Sequence, residues 1–511
     1  MIVRSIRIRR SGLGVKSFGI DRLWLPASAG RLPPALNFRP KPEATVVVIF
    51  RVMKGLLVAL VALQAAACAA SITPPKASVQ ASALTRWDGA AFSGDSFDPR
   101  WWRQLEDPVL DELENAALSA NHDIRSALAR LDQSRAIFDE ERRRRYPTAT
   151  ANAFVDVREQ GQPGFSDQPA RITTYRLGLD ASWELDFFGR VRSAIAAASA
   201  NADSFEAAFE SVRVSVAADV ARNYFELRGI QQQLAVLDRS LANQRETLRL
   251  TVVRRDAGFG EEQDVASASA RVAAIEAAVP PLRTALAVRE HRLGVLTGRI
   301  PGQLAETVAP RAYPVLARSI ALGPPDQLLT RRPDVRVAER RLAVAAASAG
   351  VAAADLYPRI TITGVLGLLA GRGSLLGSSD SRLWAVTPAL QWSAFDIGSA
   401  RARLRGAHAA TAEALADYEK TMLLALEETE TALVMYRQRQ ERLVSLTDEV
   451  RESTRAAGIA RARYREGVTD FLSLLDAERT ALQAEDNAAA AEAEVFTALV
   501  GLYRAVGGLK L

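Results

Sequence analysis

The chain has 511 residues, is rich in Ala, Arg, Leu and Glu, contains only 6 % aromatic residues, and has a formal net charge of +6. This composition favours long helices over a compact mixed domain. Ten Lys and Arg against two acids lie in residues 1–52, and Lys54 adds one more positive charge, so the net charge from residue 68 onward is −3. The basic pI therefore gives no argument for nucleic-acid binding, and no nucleic-acid partner is expected.

The N-terminal region predicts a secretory signal. Met53-Lys54 and the short apolar stretch 55–63 precede Cys68, the one cysteine of the chain. We interpret residues 53–67 as a lipoprotein signal peptide, after which the thiol of Cys68 is acylated. The alternative is an ordinary signal peptide with an incidental cysteine, and Ala65 departs from the Leu, Val or Ile usual three residues before such a cysteine. Residues 1–52 have no place in such a signal and are predicted to be a non-native extension.

The rest of the chain contains an internal repeat with a period of 209–211 residues. The matching landmarks are Asp123 and Asp334, Tyr146-Pro147 and Tyr357-Pro358, Trp183 and Trp392, Gly189 and Gly398, and Gly258 and Gly467. We predict two equivalent halves, 109–322 and 323–511, each with a helix, two strands and a long helical hairpin.

Each half begins with a helix followed by alternating segments. In the first half, residues 109–145 predict a helix that Pro147 ends, and residues 159–170 predict a polar loop. Apolar and polar residues alternate over 149–158 and over 175–187, as in strands with one apolar face. In the second half, Ile360 to Leu368 and Trp384 to Trp392 predict the two strands around a loop at 371–380, although Pro388 is unusual inside a strand.

The helical hairpins are unusually long. Residues 190–256 and 399–466 contain no proline, and at about 1.5 Å per residue each would be roughly 100 Å long. Glycine-bearing turns near Gly258 and Gly467 follow, and returning helices are predicted over 261–297 and 470–506. Helices of this length need partner helices along most of their surface, as in a coiled coil.

The strands predict a membrane barrel that one chain cannot complete. Aromatic residues lie on the apolar strand faces, with Trp183 and Trp392 near strand ends, which suits a membrane interface. Four strands cannot close a barrel, and lipid does not accommodate an open sheet edge. Three copies would supply twelve strands around an aqueous lumen. The alternative is a water-soluble four-stranded sheet packed on the helices.

Several motifs together carry a family resemblance. They are Trp101-Trp102, Asp107-Pro108, Asn121-His122-Asp123, Trp183 to Arg190, Arg331 to Arg336, Ala338-Glu339 and Tyr464 to Gly467. In order and spacing, over about residues 85–508, the chain resembles the outer-membrane factor (TolC-like) family, in particular its lipoprotein branch in resistance-nodulation-division efflux systems. The resemblance implies a homotrimer anchored in outer-membrane lipid, with a twelve-stranded barrel continued by a periplasmic α-helical barrel. Residues 68–108 would then be an N-terminal periplasmic segment.

The resemblance also implies partners and a gate. Expected partners are a periplasmic adaptor protein and an inner-membrane resistance-nodulation-division pump, with the tips at Gly258, Phe259, Gly467 and Val468 as adaptor contacts. Leu472, Asp476 and Arg479 match the gate positions of the family and lie on one helix face. In a trimer they would form an apolar and an acidic ring. The alternative is an ordinary interhelical ion pair beside a core leucine.

The sequence does not suggest an enzyme. The three histidines, His122, His291 and His408, have no metal-ligand spacing, and no nucleotide-binding or nucleophile motif is present, so no cofactor and no metal are expected. The many carboxylates are explained as solvated helix faces. Arg142 to Arg145 suit a helix C-terminus, although they could also meet lipid headgroups. Two functional alternatives stay open: an outer channel for type I protein secretion, and a periplasmic coiled-coil scaffold without a pore.

Overall fold

The helices and strands of the chain are seen in a computed structural model, which describes residues 73–78, 92–93, 98–162, 166–314, 320–324 and 327–507. The signal peptide at 53–67, the extension at 1–52 and Cys68 lie outside these ranges. β1 (Phe92–Ser93) precedes the predicted first half, which contains, in chain order, α1 (Pro108–Ala120), α2 (His122–Arg143), β2 (Thr148–Gln162), β3 (Ser166–Leu185), α3 (Arg190–Asp256) and α4 (Glu262–Leu296).

The second half repeats this order, as predicted. β4 (Ile320–Ala321) lies just before the predicted start of this half at residue 323, and the half itself contains α5 (Leu328–Arg331), α6 (Pro333–Ala354), β5 (Arg359–Ala370), β6 (Arg382–Gln391), α7 (Ile397–Arg465) and α8 (Phe471–Val506). The series α2-β2-β3-α3-α4 thus corresponds to α6-β5-β6-α7-α8. Short 3₁₀ helices lie at Trp101–Leu105, Gly373–Leu375, Ser379–Ser381 and Ala394–Asp396.

Two tryptophans donate equivalent hydrogen bonds to backbone carbonyls in the two halves. The indole Nε1 of Trp183 donates to the carbonyl oxygen of Arg145 at 3.0 Å, and that of Trp392 donates to the carbonyl oxygen of Leu356 at 3.1 Å. Each acceptor directly precedes a Tyr-Pro pair at the start of an outgoing strand. The internal repeat is therefore present in side-chain contacts as well as in the order of elements.

The prediction of one continuous helix over 109–145 is wrong, because the helix is interrupted at Asn121. The Asn121 side chain accepts hydrogen bonds from the backbone N–H groups of Asp123 and Ile124 and so caps α2. Its Nδ2 donates to the carbonyl of Leu296 at 2.9 Å, at the last residue of α4. One buried side chain thus starts one helix and satisfies the end of another.

Four strands form an antiparallel sheet in the order β2-β3-β5-β6. The predicted polar loop at 159–170 is wrong, since β2 continues to Gln162 and β3 begins at Ser166. Glu159 lies directly opposite Arg171 in this ladder. Backbone pairing and opposite charges on facing residues stabilise an extended hairpin in spite of its polar composition. The predicted strand through Pro388 is confirmed, and it is an edge strand, where a missing N–H is tolerated.

The long helices are confirmed. α3 contains 67 residues, about 100 Å of helix, and α7 contains 69. The helices α2, α3, α6 and α7 pack side by side in that order, which matches the order of the strands that they adjoin. At Gly229 of α3, an added Cβ would lie 2.6 Å from the Cβ of Ala493, so glycine permits α8 to approach closely.

The core lies where α1, α3 and the second half of α8 meet. Its aromatic rings stack, with 4.7 Å between the ring centroids of Phe225 and Phe496 and 4.6 Å between those of Trp101 and Tyr503. Asp107 starts α1 by accepting hydrogen bonds from the backbone N–H groups of Val109 and Leu110. The core therefore holds both halves of the repeat together midway along the long helices.

Candidate functional site

The two helical hairpins end in tips of the same backbone geometry. At the first tip, the N–H of Phe259 donates to the carbonyl of Arg254, and Gly258 has a φ of 80°. At the second tip, the N–H of Val468 donates to the carbonyl of Arg463, and Gly467 has a φ of 76°. Both are Schellman turns, in which glycine occupies the left-handed conformation after the helix.

Each tip presents an apolar side chain to solvent. In a Schellman turn the residue after the glycine commonly packs against the preceding helix. Here that residue is exposed at both tips, with Phe259 79 % exposed and Val468 61 % exposed. The four predicted tip residues are thus placed at two turns whose backbone is fixed and whose apolar side chains are uncovered.

An arginine that the sequence analysis did not single out joins the two tips. The Nη1 of Arg254 donates to the carbonyl of Tyr464 at 2.5 Å, and its guanidinium lies 4.5 Å from the centroid of the Tyr464 ring. Tyr464 in turn contacts Phe471 at the start of α8. The motif Tyr464 to Gly467 carried the family resemblance, but nothing in the sequence indicates which residue of the other hairpin contacts it.

The three predicted gate residues lie on the first turns of α8. Asp470 caps the helix by accepting from the N–H of Ser473 at 2.7 Å. Leu472 is 59 % exposed, so it is not a core leucine in the single chain. The Nη2 of Arg479 donates to Asp476 Oδ1 at 2.7 Å, and both side chains are exposed. The ion pair lies within one helix, unlike the interhelical pair of the alternative interpretation.

A buried glutamate lies beside the three predicted gate residues. Glu478 accepts from both Nε and Nη2 of Arg461, at 2.9 and 2.7 Å, and from Nε2 of Gln244 at 2.5 Å. It therefore joins α3, α7 and α8. The interpretation of all carboxylates as solvated faces is wrong here, because this residue is only 5 % exposed. Its sequence context resembles that of the exposed acids nearby, so no local signal distinguishes it.

A second carboxyl group is also buried and, unlike Glu478, has no hydrogen-bond partner among the described residues. Glu114 of α1 is fully buried, and neither of its carboxylate oxygens has a hydrogen-bond partner. Burial, together with the negative charge of Asp111, raises the pKa of Glu114 well above the ordinary glutamate value. This glutamate also contradicts the interpretation of the acids as solvated.

The motif Arg331 to Arg336 has a structural role that the sequence did not reveal. The guanidinium of buried Arg332 donates to the carbonyl of Ala505 at 2.6 Å, to Asp334 at 2.8 Å and to Glu428 at 2.6 Å. Burial opposes ionisation of Asp334, but the hydrogen bond and the positive charge of Arg332, together with backbone N–H donors, outweigh burial and lower the pKa of that carboxyl. Arg332 thus anchors the C-terminal end of α8, the helix that begins with the predicted gate.

The sheet has one apolar and one polar face. Cross-strand neighbours Leu179, Leu366 and Trp384 share the apolar face, where Leu366 is 64 % and Trp384 76 % exposed. On the other face, Asn152 donates to Asp180 at 2.5 Å, and Arg176 is paired with the same carboxylate. In the part of the chain that the structure describes, β2 and β6 each lack a second neighbouring strand.

No described helix is both long enough and apolar enough to cross a membrane. Among the described residues, no group of three or more His, Cys, Asp or Glu side chains is placed to hold a metal ion. The three histidines are exposed on helices.

Comparison with known proteins decides the family. The profile of the family described as outer membrane efflux protein matches residues 113–299 and 325–508, which is one match for each half of the repeat. The chain belongs to the outer membrane efflux protein family. The predicted resemblance is thereby confirmed, and so is the interpretation of this outer membrane efflux protein as an efflux channel located in the outer membrane. The family is one of transport proteins.

Relatives of this outer membrane efflux protein agree over most of their length. The chain is 31 % identical over 464 residues to the outer membrane protein OprJ of Pseudomonas aeruginosa, covering 89 % of this chain and 95 % of OprJ. It is 30 % identical over 406 residues to the toluene efflux pump outer membrane protein TtgI of Pseudomonas putida, covering 79 % of this chain and 86 % of TtgI.

Solved structures show the same fold. The outer-membrane channel OprN matches with a TM-score of 0.83 and 43 % identity, over 86 % of this chain and all of that chain. The open state of the MtrE outer membrane channel of Neisseria gonorrhoeae matches with a TM-score of 0.72 and 28 % identity, over 86 % of this chain and 99 % of that chain. The predicted fold class, a TolC-like channel with mostly helical chains and four strands per chain, is confirmed.

Proposed function

We propose that three copies of the chain join their sheets into one closed barrel. This barrel would form an outer-membrane channel that passively conducts small molecules out of the periplasm. The observation that carries this proposal is the four-stranded sheet, whose apolar face is exposed and whose two edge strands each have one unpaired edge in the described chain. Open edges are excluded from the hydrocarbon region because unpaired backbone groups cost several kcal/mol each there. Closure by three copies satisfies both edges and gives twelve strands.

The polar face of the sheet supports an aqueous lumen. Asn152, Arg176 and Asp180 form a hydrogen-bonded network on this face, whereas Leu366 and Trp384 face the other way. Alternation of this kind separates a lipid-facing surface from a water-filled interior in outer-membrane barrels. The helices α2, α3, α6 and α7 follow the strands in the same order and would continue the barrel into the periplasm.

The gate of this channel would lie at the start of α8. Three copies of exposed Leu472 around an axis would form an apolar constriction, which can close a pore by dewetting. Three copies of Asp476 would form an acidic ring that favours cations, with Arg479 restraining it through the observed ion pair. Breaking that pair should therefore raise the resting conductance.

The tips would contact the rest of an efflux machine. Phe259 and Val468 are exposed apolar side chains on rigid turns, which is the character expected of docking residues. A periplasmic adaptor protein would bind them, and an inner-membrane resistance-nodulation-division pump would supply the substrate. Acylation of Cys68, after cleavage of residues 53–67, would anchor each copy to the membrane.

The names of relatives support small molecules as substrates. OpmQ of Pseudomonas putida is named as a pyoverdine export protein, and TtgI is named for toluene efflux. We therefore favour export of small molecules over secretion of protein. A secreted protein as the cargo is one outcome that the following experiment can reveal.

The test compares a deletion strain carrying the wild-type gene with strains carrying Asp476→Ala, Arg479→Ala or the double variant. We expect wild type to restore resistance to a panel of small toxic compounds, and the variants to admit vancomycin and to show higher conductance in planar bilayers. The matched control is Asp448→Ala with Arg451→Ala, which removes an exposed ion pair of the same spacing on α7. No conductance from the wild type or from any variant, together with no restored resistance, would refute the channel, whereas restored resistance with an unchanged leak in the variants would refute only the gate.

A further inference from the structure

The two outermost helices of the helical layer each carry an uncovered seam. The order of the described helices in this layer is α2-α3-α6-α7. Within the layer, α2 therefore has only α3 as a neighbour, and α7 has only α6. Ile124, Ala127 and Leu131 of α2 are buried, and so are Ala400 and Thr411 of α7. The opposite face of each helix is therefore available to another chain.

The exposed seam of α2 has helical spacing. All of its members are exposed and follow one another at intervals of three or four residues, which places them on one side of the helix. They are Arg125, Ala129, Asp132, Ala136 and Glu140. Small residues thus alternate with charged residues along this seam.

The exposed seam of α7 has the spacing of a coiled coil. Its members alternate at intervals of four and three residues and are all exposed: Ala402, Gly406, Ala409, Glu413 and Ala416. Arg405 adjoins Gly406 on the same side. No atom lies within 4 Å of a Cβ built at Gly406, so this face of α7 is open in the described chain. Alanine and glycine would let a second helix approach closely.

The charges on the two seams match in height when the helices run antiparallel. α2 ends and α7 begins at the same end of the sheet, because Arg143 precedes β2 and Ile397 follows β6. Asp132 lies about 16 Å from the end of α2, and Arg405 lies about 12 Å from the start of α7. These opposite charges are close enough in height for long side chains to meet.

A second pair of opposite charges follows farther along the same helices. Arg125 lies about 27 Å from the end of α2, and Glu413 lies about 24 Å from the start of α7. Within the described residues, none of Arg125, Asp132, Arg405 and Glu413 forms an ion pair. The seams are therefore complementary to each other both in charge and in the placement of small residues.

We infer that the α2 seam of one copy packs on the α7 seam of the next copy, with Asp132 paired to Arg405 and Arg125 paired to Glu413. This inference rests on the proposed trimer and specifies how its helices recognise one another. The contact joins two different surfaces, and a contact of this kind repeats around an axis until the ring closes. The charge order also sets the vertical register between neighbouring copies.

The test reverses the charges of one seam and then restores complementarity with the other. Arg405→Glu with Glu413→Arg places like charges opposite each other in all three interfaces. We expect the association constant for the trimer, measured by light scattering after chromatography in detergent, to fall by about tenfold or more. Adding Asp132→Arg and Arg125→Glu to the same chain should restore trimer formation to near the wild-type value.

A matched control separates the seam from the net charge of α7. Asp448→Arg with Arg451→Glu makes an equivalent charge exchange on exposed residues of α7. These residues lie about 77 and 81 Å from the start of α7, beyond the roughly 33 Å length of α2, so the trimer should be unaffected. Equal loss in this control, or no recovery in the fourfold variant, would overturn the inference. A wild-type protein that is monomeric in detergent and in membranes would instead refute the proposed trimer itself.

Discussion

Replacing Arg461 with alanine should destabilise the protein more than replacing its partner Glu478. The Glu478 side chain is 3 % exposed and the Arg461 side chain is 30 % exposed. Removing the arginine leaves a carboxylate buried without its counter-charge, which costs about 3–5 kcal/mol. Removing the glutamate leaves an arginine that reaches water. The free energy of unfolding should then fall by about 1.5–3 kcal/mol, the usual contribution of a hydrogen bond to a charged group.

The buried position of Glu478 has a second consequence for the same experiment. Gln244 donates to the carboxylate at 2.5 Å, so part of the destabilisation caused by Arg461→Ala is relieved by a neutral donor. We expect the double variant Arg461→Ala, Glu478→Ala to resemble Glu478→Ala alone, because no buried charge is then unpaired. A double-mutant cycle therefore yields a large coupling free energy between the two residues.

The assay measures the midpoint of urea unfolding in detergent, with the circular dichroism signal of the helices as the readout. Arg451→Ala serves as the control, since this arginine is highly exposed in its contacts with Asp448 and Glu452, and its removal should leave the free energy of unfolding nearly unchanged. If Arg461→Ala destabilised no more than Glu478→Ala, the account of Glu478 as a buried charge held by Arg461 would be refuted.

Three further predictions concern buried contacts of the described chain. Burial and Asp111 raise the pKa of Glu114, so the folded state keeps this proton to a higher pH than the unfolded state does. The free energy of unfolding should therefore fall as the pH rises above about 4.3, the ordinary glutamate pKa of the unfolded chain. Glu114→Gln should remove this pH dependence from unfolding measured between about pH 4 and 8. Arg332→Lys should cost about 1–3 kcal/mol in thermal unfolding, because an ammonium cannot reproduce the guanidinium contacts with Ala505 and Asp334; an unchanged melting temperature would contradict this role. Gly229→Ala should cost about 1–3 kcal/mol through its 2.6 Å clash with the Cβ of Ala493, and Ala493→Gly in the same chain should restore the melting temperature.

Long-range periodicity made much of the fold predictable. The bounds of α3 follow from a run without proline between Gly189 and Gly258, and both of these glycines adopt positive φ in the structure. The alternation over 175–187 predicted which residues of β3 share a face, and the register with β5 agrees. Such patterns are local and repeated, so a single sequence contains enough information to identify them.

What the sequence did not reveal depends on partners far away along the chain. Asn121 interrupts a helix because it can cap both α2 and α4, and Glu478 is buried because Arg461 and Gln244 surround it. Neither residue differs in local context from an ordinary surface residue. The extended hairpin of β2 and β3 was missed for the same reason, since facing residues stabilise a segment whose composition favours a loop.

The paired indole contacts have a mechanical consequence. Trp183 and Trp392 each fasten a strand that returns from the sheet to the carbonyl just before the strand that leaves it. The corners between sheet and helices are therefore braced and do not act as free joints. In the proposed trimer, a twist imposed at the far ends of α3 and α7 would be absorbed by flexing along about a hundred ångströms of coiled helix. The proposed lipid-facing cylinder would then keep its diameter while the distant end dilates.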